Sequence, residues 1–176
     1  MSNKIARLMF SQLSLVIVLG CGLAVLAQPA TLPQVDAVSE SKRRQEAHFK
    51  YFEAQRLKGE AQRTRSRQLL EESIRALQET IRLDPTAAEP HVDLGELYFF
   101  YLSQNLQAER EAQEAIRLDP ANVNGHILLA RLRIFAVKGE TSPRALSLER
   151  AAAAYEKVAE LDPKNAEAWA FLAELY

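Results

Sequence analysis

Cysteine is all but missing: the 176 residues contain one, Cys21. That excludes an intramolecular disulfide framework and any zinc site built from several thiolates. Glycine (6) and proline (7) are sparse, too few for an all-β chain full of tight turns. The formal net charge is only −1, which excludes a uniformly basic nucleic-acid binder. No phosphate-cradling loop is present: Gly95, Gly125 and Gly139 stand alone, and no G-x-x-x-x-G-K occurs. There is no H-E-x-x-H, and no serine lies in a nucleophile-elbow pattern. The three histidines, His48, His91 and His126, are far apart in sequence, and paired acids such as Glu71 and Glu72 read as solvated helix surface. No catalytic residue, cofactor site or metal site is expected. What the chain does have is 48% hydrophobic and 26% charged residues. That is enough apolar content for one folded domain and too much for wholesale disorder.

The first 27 residues stand apart. Lys4 and Arg7 make a short positive start, and an apolar stretch then runs from Leu8 to Ala27 with Ser11, Gln12 and Ser14 inside it. Val25 and Ala27 are small residues just ahead of Gln28-Pro29. This is the layout of a secretory signal peptide cleaved after Ala27. Two other readings stand beside it. The stretch is about 20 residues long, enough to span a bilayer uncleaved. Val18-Leu19-Gly20-Cys21 resembles a bacterial lipobox, which makes Cys21 a lipidation site, although Gly22 to Ala27 stays apolar where a lipoprotein turns polar. Each version puts the rest of the chain outside the cytoplasm, periplasmic, secreted or anchored. Residues 28–41 carry two prolines, no aromatic and no apolar period, and are expected to be a flexible linker.

From residue 42 onward the chain repeats. Leu-Asp-Pro occurs at 83–85, 118–120 and 161–163, at spacings of 35 and 43 residues. Each copy ends a helical pattern: Leu70, Ile74, Leu77 and Ile81 in the first, Ala108, Ala112, Ala115 and Ile116 in the second, Ala151, Tyr155, Val158 and Ala159 in the third. Pro85, Pro120 and Pro163 cannot continue those helices, so the chain turns there. A second pattern follows each turn: His91-x-x-Leu94-Gly95-x-x-Tyr98, His126-x-x-Leu129-Ala130-x-x-Arg133 and Trp169-x-x-Leu172-Ala173-x-x-Tyr176. The small residue at Gly95, Ala130 and Ala173 lets two helices approach, and the bulky ones fill the gap between them.

These motifs resemble the tetratricopeptide repeat (TPR) family, whose first helix carries W-x-x-L-G-x-x-Y and whose repeat closes on a proline. The resemblance covers residues 66–176, and 42–65 in degraded form. Histidine stands for the leading tryptophan twice, and Arg133 for the tyrosine. The resemblance implies an all-α, right-handed solenoid of about three and a half helix hairpins, with repeats at 42–85, 86–120 and 121–163 and a further first helix at 164–176. The expected helices are 42–58, 66–83, 87–102, 105–118, 122–137, 143–161 and 165–176. The spacings imply one inserted residue near Ser103-Gln104-Asn105 and about nine near 138–143, with Ser142 capping the helix that starts at Pro143. The pattern stops at a first-helix motif with Trp169, Leu172 and Tyr176 uncovered. A truncated sequence or another covering element is therefore expected there.

In the TPR family the opposite face of the first helices lines a concave groove that holds peptides. At 100° per residue that face here carries Glu89, Asp93, Glu96 and Phe100, then Asn124, Leu128, Arg131 and Phe135, then Glu167, Phe171 and Glu174. The resemblance implies a groove for a protein or peptide partner with apolar anchors and Lys or Arg. The alternative is that the apolar members pack against the neighbouring repeat or the 138–143 loop. A clamp for a C-terminal carboxylate is argued against, because these acids would repel it. His91 and His126 are expected to pack in the tryptophan slot. Charge is uneven: 42–67 is net +6 and 68–176 is net −7, which suits self-association of the two segments, an anionic surface, or simply a solvated helix pair with Phe49, Phe52 and Leu57 as its core. The expected function is a non-enzymatic scaffold of the cell envelope. One alternative is a lipidated or anchored envelope assembly factor of the pilus or outer-membrane type, the membrane being reached only through the N-terminus. The other is the targeting arm of a longer enzyme.

Overall fold

The computed structural model describes residues 34–137 and 144–175. The expected signal peptide, Cys21, the inserted segment around 138–143 with its Ser142 cap, and Tyr176 lie outside these residues. Seven helices are described: α1 (Gln34–Thr64), α2 (Arg67–Leu83), α3 (Glu89–Phe100), α4 (Asn105–Leu118), α5 (Val123–Val137), α6 (Arg144–Leu161) and α7 (Ala166–Leu175).

The Leu-Asp-Pro turns explain the ends of α2, α4 and α6. The aspartate N–H still bonds back into the helix: Asp84 to the Thr80 carbonyl at 2.8 Å, Asp119 to Ala115 at 2.9 Å, Asp162 to Val158 at 2.7 Å. Its side chain then folds forward. Oδ1 of Asp84, Asp119 and Asp162 accepts the backbone N–H of Thr86, Ala121 and Lys164 at 3.0, 3.0 and 3.2 Å. An aspartate that bonds two residues ahead makes a turn that the proline then locks. Asparagine starts the next helix in two cases. Asn122 Oδ1 accepts the Gly125 N–H at 2.8 Å, and Asn165 Oδ1 accepts the Ala168 N–H at 3.0 Å, each satisfying an orphan donor of the first turn. At α3 no side chain caps the helix, and Pro90 in the first turn removes one donor instead.

The α1–α2 and α3–α4 turns close with non-glycine residues in left-handed geometry, Arg65 (φ 55°) and Ser103 (φ 53°). The expected insertion near Ser103 thus coincides with a tight turn. At the other end the expected linker needs correction: residues 34–41 are the first two turns of α1. No apolar period is needed over residues 37–41, because each of them is exposed. Helix formers and the Arg44–Glu40 pair, 2.6 Å across one turn, suffice there. α1 also runs past 58 to Thr64, with Gly59 inside it at a place where a Cβ would meet no neighbour within 4 Å.

Among the described residues, each helix packs on its neighbours in the chain, and α3 also touches α5. The core is accordingly a row of layers. Ala54, Leu57, Leu77, Leu94 and Leu97 join α1, α2 and α3. Ala108, Ala112, Leu128, Leu129 and Leu132 join α4 and α5. Ala130, Tyr155, Val158, Ala168 and Leu172 join α5, α6 and α7. Alanine dominates because the helices approach closely. Buried Ser73 pays no desolvation penalty, since its hydroxyl donates to the Ala54 carbonyl at 2.9 Å. Phe49 and Phe52 are not the core of the first pair: they are 69% and 72% exposed, while Leu57 is buried. Small alanines, Ala47, Ala54 and Ala61, occupy the inner face of α1 instead. No described helix is long and apolar enough to cross a membrane.

Candidate functional site

The first helices of the hairpins, α1, α3, α5 and α7, bring most of the expected groove residues to adjoining positions, and α1 adds residues the sequence did not point to. Lys58 Nζ sits 2.6 Å from Asp93 Oδ1 and 2.7 Å from Glu96 Oε2. Asp93 also accepts the Tyr51 hydroxyl at 2.7 Å and the Gln55 amide. Burial opposes the charge on Lys58, but the hydrogen bonds to Asp93 and Glu96 hold it above the ordinary lysine value. Burial, reinforced by the bond to Asp93, raises the Tyr51 phenol. The same arrangement recurs between α5 and α7. Arg131 holds Glu167 through two hydrogen bonds, at 2.8 and 2.5 Å, and the Tyr155 hydroxyl of α6 donates to Glu167 at 2.8 Å. The bond from Arg131 keeps the Glu167 carboxyl below the usual range, and the pairing raises Arg131.

The expected acidic rim is therefore corrected. Asp93, Glu96 and Glu167 are neutralised by cations on neighbouring helices, while Glu89, Asn124 and Glu174 are exposed. Glu89 accepts a 3.4 Å bond from Asn122 Nδ2. Leu128 does not line the face. It is 1% exposed, because α5 leans on α3 and Leu128 fills the notch left by Gly95, where a Cβ would stand 2.7 Å from Leu128 Cδ2. Phe171 is half-buried on the Tyr155 ring, 4.7 Å between centroids, so its first duty is packing. Phe100 and Phe135 do stay half exposed, and both lean on Phe99, at 4.8 and 5.5 Å.

The motif residues divide similarly. His91, Leu94, Gly95, Leu129, Ala130 and Leu172 are buried, and Tyr98 is partly so. His91 Nδ1 meets Glu111 Oε2 at 2.6 Å. His126 Nε2 and Trp169 Nε1 each donate to a proline carbonyl six residues back, Pro120 at 3.1 Å and Pro163 at 2.9 Å. Trp169 is nevertheless 52% exposed, and Ala173 is exposed as well. Leu172, expected to be uncovered, is buried with Tyr155 and Val158 of α6.

Between α1 and the start of α3 lies a cavity of about 450 Å³. Its walls are Ala47, Tyr51, Phe52, Ala87 and Pro90, and His48, Gln55, Asp84 and Glu89 add polar groups. Sequence reasoning missed this half of the face because the motif in the first repeat is degraded, so offsets from His91 and Trp169 had no counterpart on α1. The available signal was the spacing of His48, Phe52, Gln55 and Gly59, one side of a helix at i, i+4, i+7, i+11. Among the described residues, no group of three or more His, Cys, Asp or Glu is placed to hold a metal ion.

No protein-family model and no curated protein matches the chain. Solved structures do. The TPR domain of Arabidopsis OM64 superposes with a TM-score of 0.59 at 17% identity, covering 76% of this chain and 96% of that one. The second TPR domain of human RPAP3, in complex with the HSP70 peptide SGPTIEEVD, gives 0.56 at 21% identity, covering 73% and 97%. The first TPR of Spaghetti (RPAP3), bound to the HSP90 peptide SRMEEVD, gives 0.54 at 23% identity, covering 70% and 92%. The fold is thus an all-α solenoid of tetratricopeptide repeats.

Proposed function

We propose that this TPR solenoid is a non-enzymatic interaction module that holds a peptide or protein segment along α1, α3, α5 and α7. The observation that carries the reading is the cavity beside Phe52. It is apolar enough to take one large side chain, and Asp84 and Glu89 stand ready for a neighbouring Lys or Arg. The half-exposed Phe100 and Phe135 offer a second apolar contact, toward the other end of α3. Phe100 is 11 residues from Glu89, about 16 Å along the helix, a span that about five extended residues cover. An acidic tail suits the face poorly, although such tails bind the RPAP3 domains. The cations Lys58 and Arg131 are each already held by carboxylates, so a ligand carboxylate would have to displace one.

Peptides selected from a random library on the full chain should carry a bulky apolar residue next to Lys or Arg. Fluorescence anisotropy should then show Phe52→Ala weakening binding about tenfold or more. Glu89→Lys should weaken it several-fold, and more so at low salt. Equal affinity of both variants and the parent chain would remove the cavity from the reading.

The N-terminal pattern supports a place in the cell envelope, periplasmic or secreted, with the lipobox-like Val18-Leu19-Gly20-Cys21 supporting an anchored assembly factor as the second reading. Intact mass of the soluble and membrane fractions separates them. A soluble species beginning at Gln28 is expected. A membrane species beginning at Cys21 with a diacylglycerol mass would make the anchored reading primary, and an uncut chain in the membrane would overturn both cleavage sites.

A further inference from the structure

α1 buries one side, along Ala47, Ala54, Leu57 and Ala61, against α2 and α3. Its other side is no ordinary solvated surface. Val38, Phe49 and Phe52 all stand out from it, each about 70% exposed, and at 100° per residue they fall within one narrow band together with Lys42, Gln45, Arg56 and Glu60. We infer that this band pairs with the same band of a second copy, the two α1 helices running antiparallel about a two-fold axis between Phe49 and Phe52.

Charge placement argues for that occupant. Lys42 and Glu60 are 18 residues apart, five turns, and so lie on the same line of the helix. They stand 8.5 and 9.5 residues from the midpoint between the two phenylalanines. An antiparallel two-fold therefore brings Lys42 of one copy level with Glu60 of the other to within about 1.5 Å along the axis, and it does so twice. Four phenylalanines meet at the centre, each able to bury roughly 150 Å² or more, with a charged pair at either end. An isologous contact of this kind closes on itself and stops at a dimer. Glu53 and Glu60 edge the same band among the cations, a mixture that fits a self-complementary face better than an anionic surface. Arg56 bonds Glu60 at 3.2 Å on its own helix, which fixes the carboxylate for the incoming lysine. The contact is modest in area, so the dimer should be weak, with a dissociation constant in the micromolar range or above.

Sedimentation velocity of the full chain, from micromolar to several hundred micromolar, tests this. A concentration-dependent rise from monomer to dimer mass is expected. Phe49→Glu should raise the dissociation constant at least tenfold, while Phe49→Leu should change it little. Phe49 is chosen because Phe52 also lines the cavity. Lys42→Glu and Glu60→Lys should each weaken the dimer several-fold, and the two together should restore it, since both pairs are then re-formed with reversed sign. Circular dichroism confirms that each variant remains helical. A monomer over the whole range overturns the inference, as does a dimer indifferent to Phe49→Glu. A doubly reversed variant no better than the singles overturns the antiparallel register. Sedimentation with phosphatidylglycerol vesicles, lost on Phe49→Glu in a chain that stays monomeric, would give the face to lipid instead.

Discussion

Gly95→Val destabilises the solenoid by about 3 kcal/mol, a fall in Tm of about 10 °C for a domain of this size. The site is where three helices meet. A Cβ at Gly95 would stand 2.7 Å from Leu128 Cδ2 on α5, 3.2 Å from the Ala108 carbonyl on α4, and 3.2 Å from Glu111 Cβ. The carbonyl is backbone within α4 and has little freedom to move. Leu128 is sealed at 1% exposure, so its methyl has nowhere to retreat. Valine adds two methyl groups to that conflict and fixes their direction. Gly95→Ala is a different case. The same Cβ contacts arise, but without the two further methyl groups, and the helix gains about 1 kcal/mol in propensity, so a loss clearly smaller than that of valine is expected. Thermal melts check both. Adding Leu128→Ala to Gly95→Val should cost less than the two changes separately, because both act on one notch. Strict additivity would show that Gly95 and Leu128 are not in contact.

Lys58→Met costs about 2 kcal/mol. Among the described residues, Lys58 is the one cation bonded to both Asp93 and Glu96, and its side chain and that of Asp93 are about one-seventh exposed. Methionine keeps the aliphatic stem packed and removes only the charge, leaving two carboxylates facing each other in a partly dry site. A loss of 3–5 kcal/mol follows when a fully buried pair is broken, and the partial exposure of Glu96 reduces that figure. Asp93→Asn in the Lys58→Met background should recover part of the loss, because the amide carbonyl still accepts from Tyr51 and Gln55 while one of the two repelling charges is gone. Urea titration of the single and double variants reads both values. The parent chain should also show a characteristic pH dependence. Lys58 is held above its ordinary value, so its contribution is complete below about pH 10 and is lost as pH rises through the raised value. Lys58→Met should flatten that alkaline decline, and an unchanged decline would place its origin elsewhere.

The repeats from residue 66 onward were legible because their signals are local. Leu-Asp-Pro writes the end of a helix into three consecutive residues, and the Asp and Asn side chains at those turns do what their chemistry requires in any fold. The first hairpin was legible only in part. Its helix spells no W-x-x-L-G-x-x-Y motif and carries Ala54, Leu57 and Ala61 on its buried side instead, and its phenylalanines lie outside rather than inside. Composition alone does not separate an aromatic that seals a core from one that faces out, and only the alanine stripe at 47, 54 and 61 marks the inner side. The groove face is hard to read from sequence for a further reason. A helical wheel gives direction within one helix, but Leu128 is decided by the tilt of α5 against α3, and the acids are decided by Lys58, from a helix about 35 residues earlier in the chain. Charge counted along a sequence does not reveal which charges cancel across space.

The ring-nitrogen contacts at His126 and Trp169 carry one more consequence. A proline at the turn leaves its own carbonyl without a place in either helix, and a ring N–H six residues on clasps it. In these two repeats the position supplies a donor at fixed reach, whereas His91, at the same place in the motif, turns its Nδ1 to Glu111. The imidazole of His126 supplies that donor at well under the size of an indole, provided Nε2 carries the proton. Two side chains with no resemblance in volume thus become synonyms in the grammar of these two repeats, and the half-exposed indole of Trp169 leaves much of the difference to solvent.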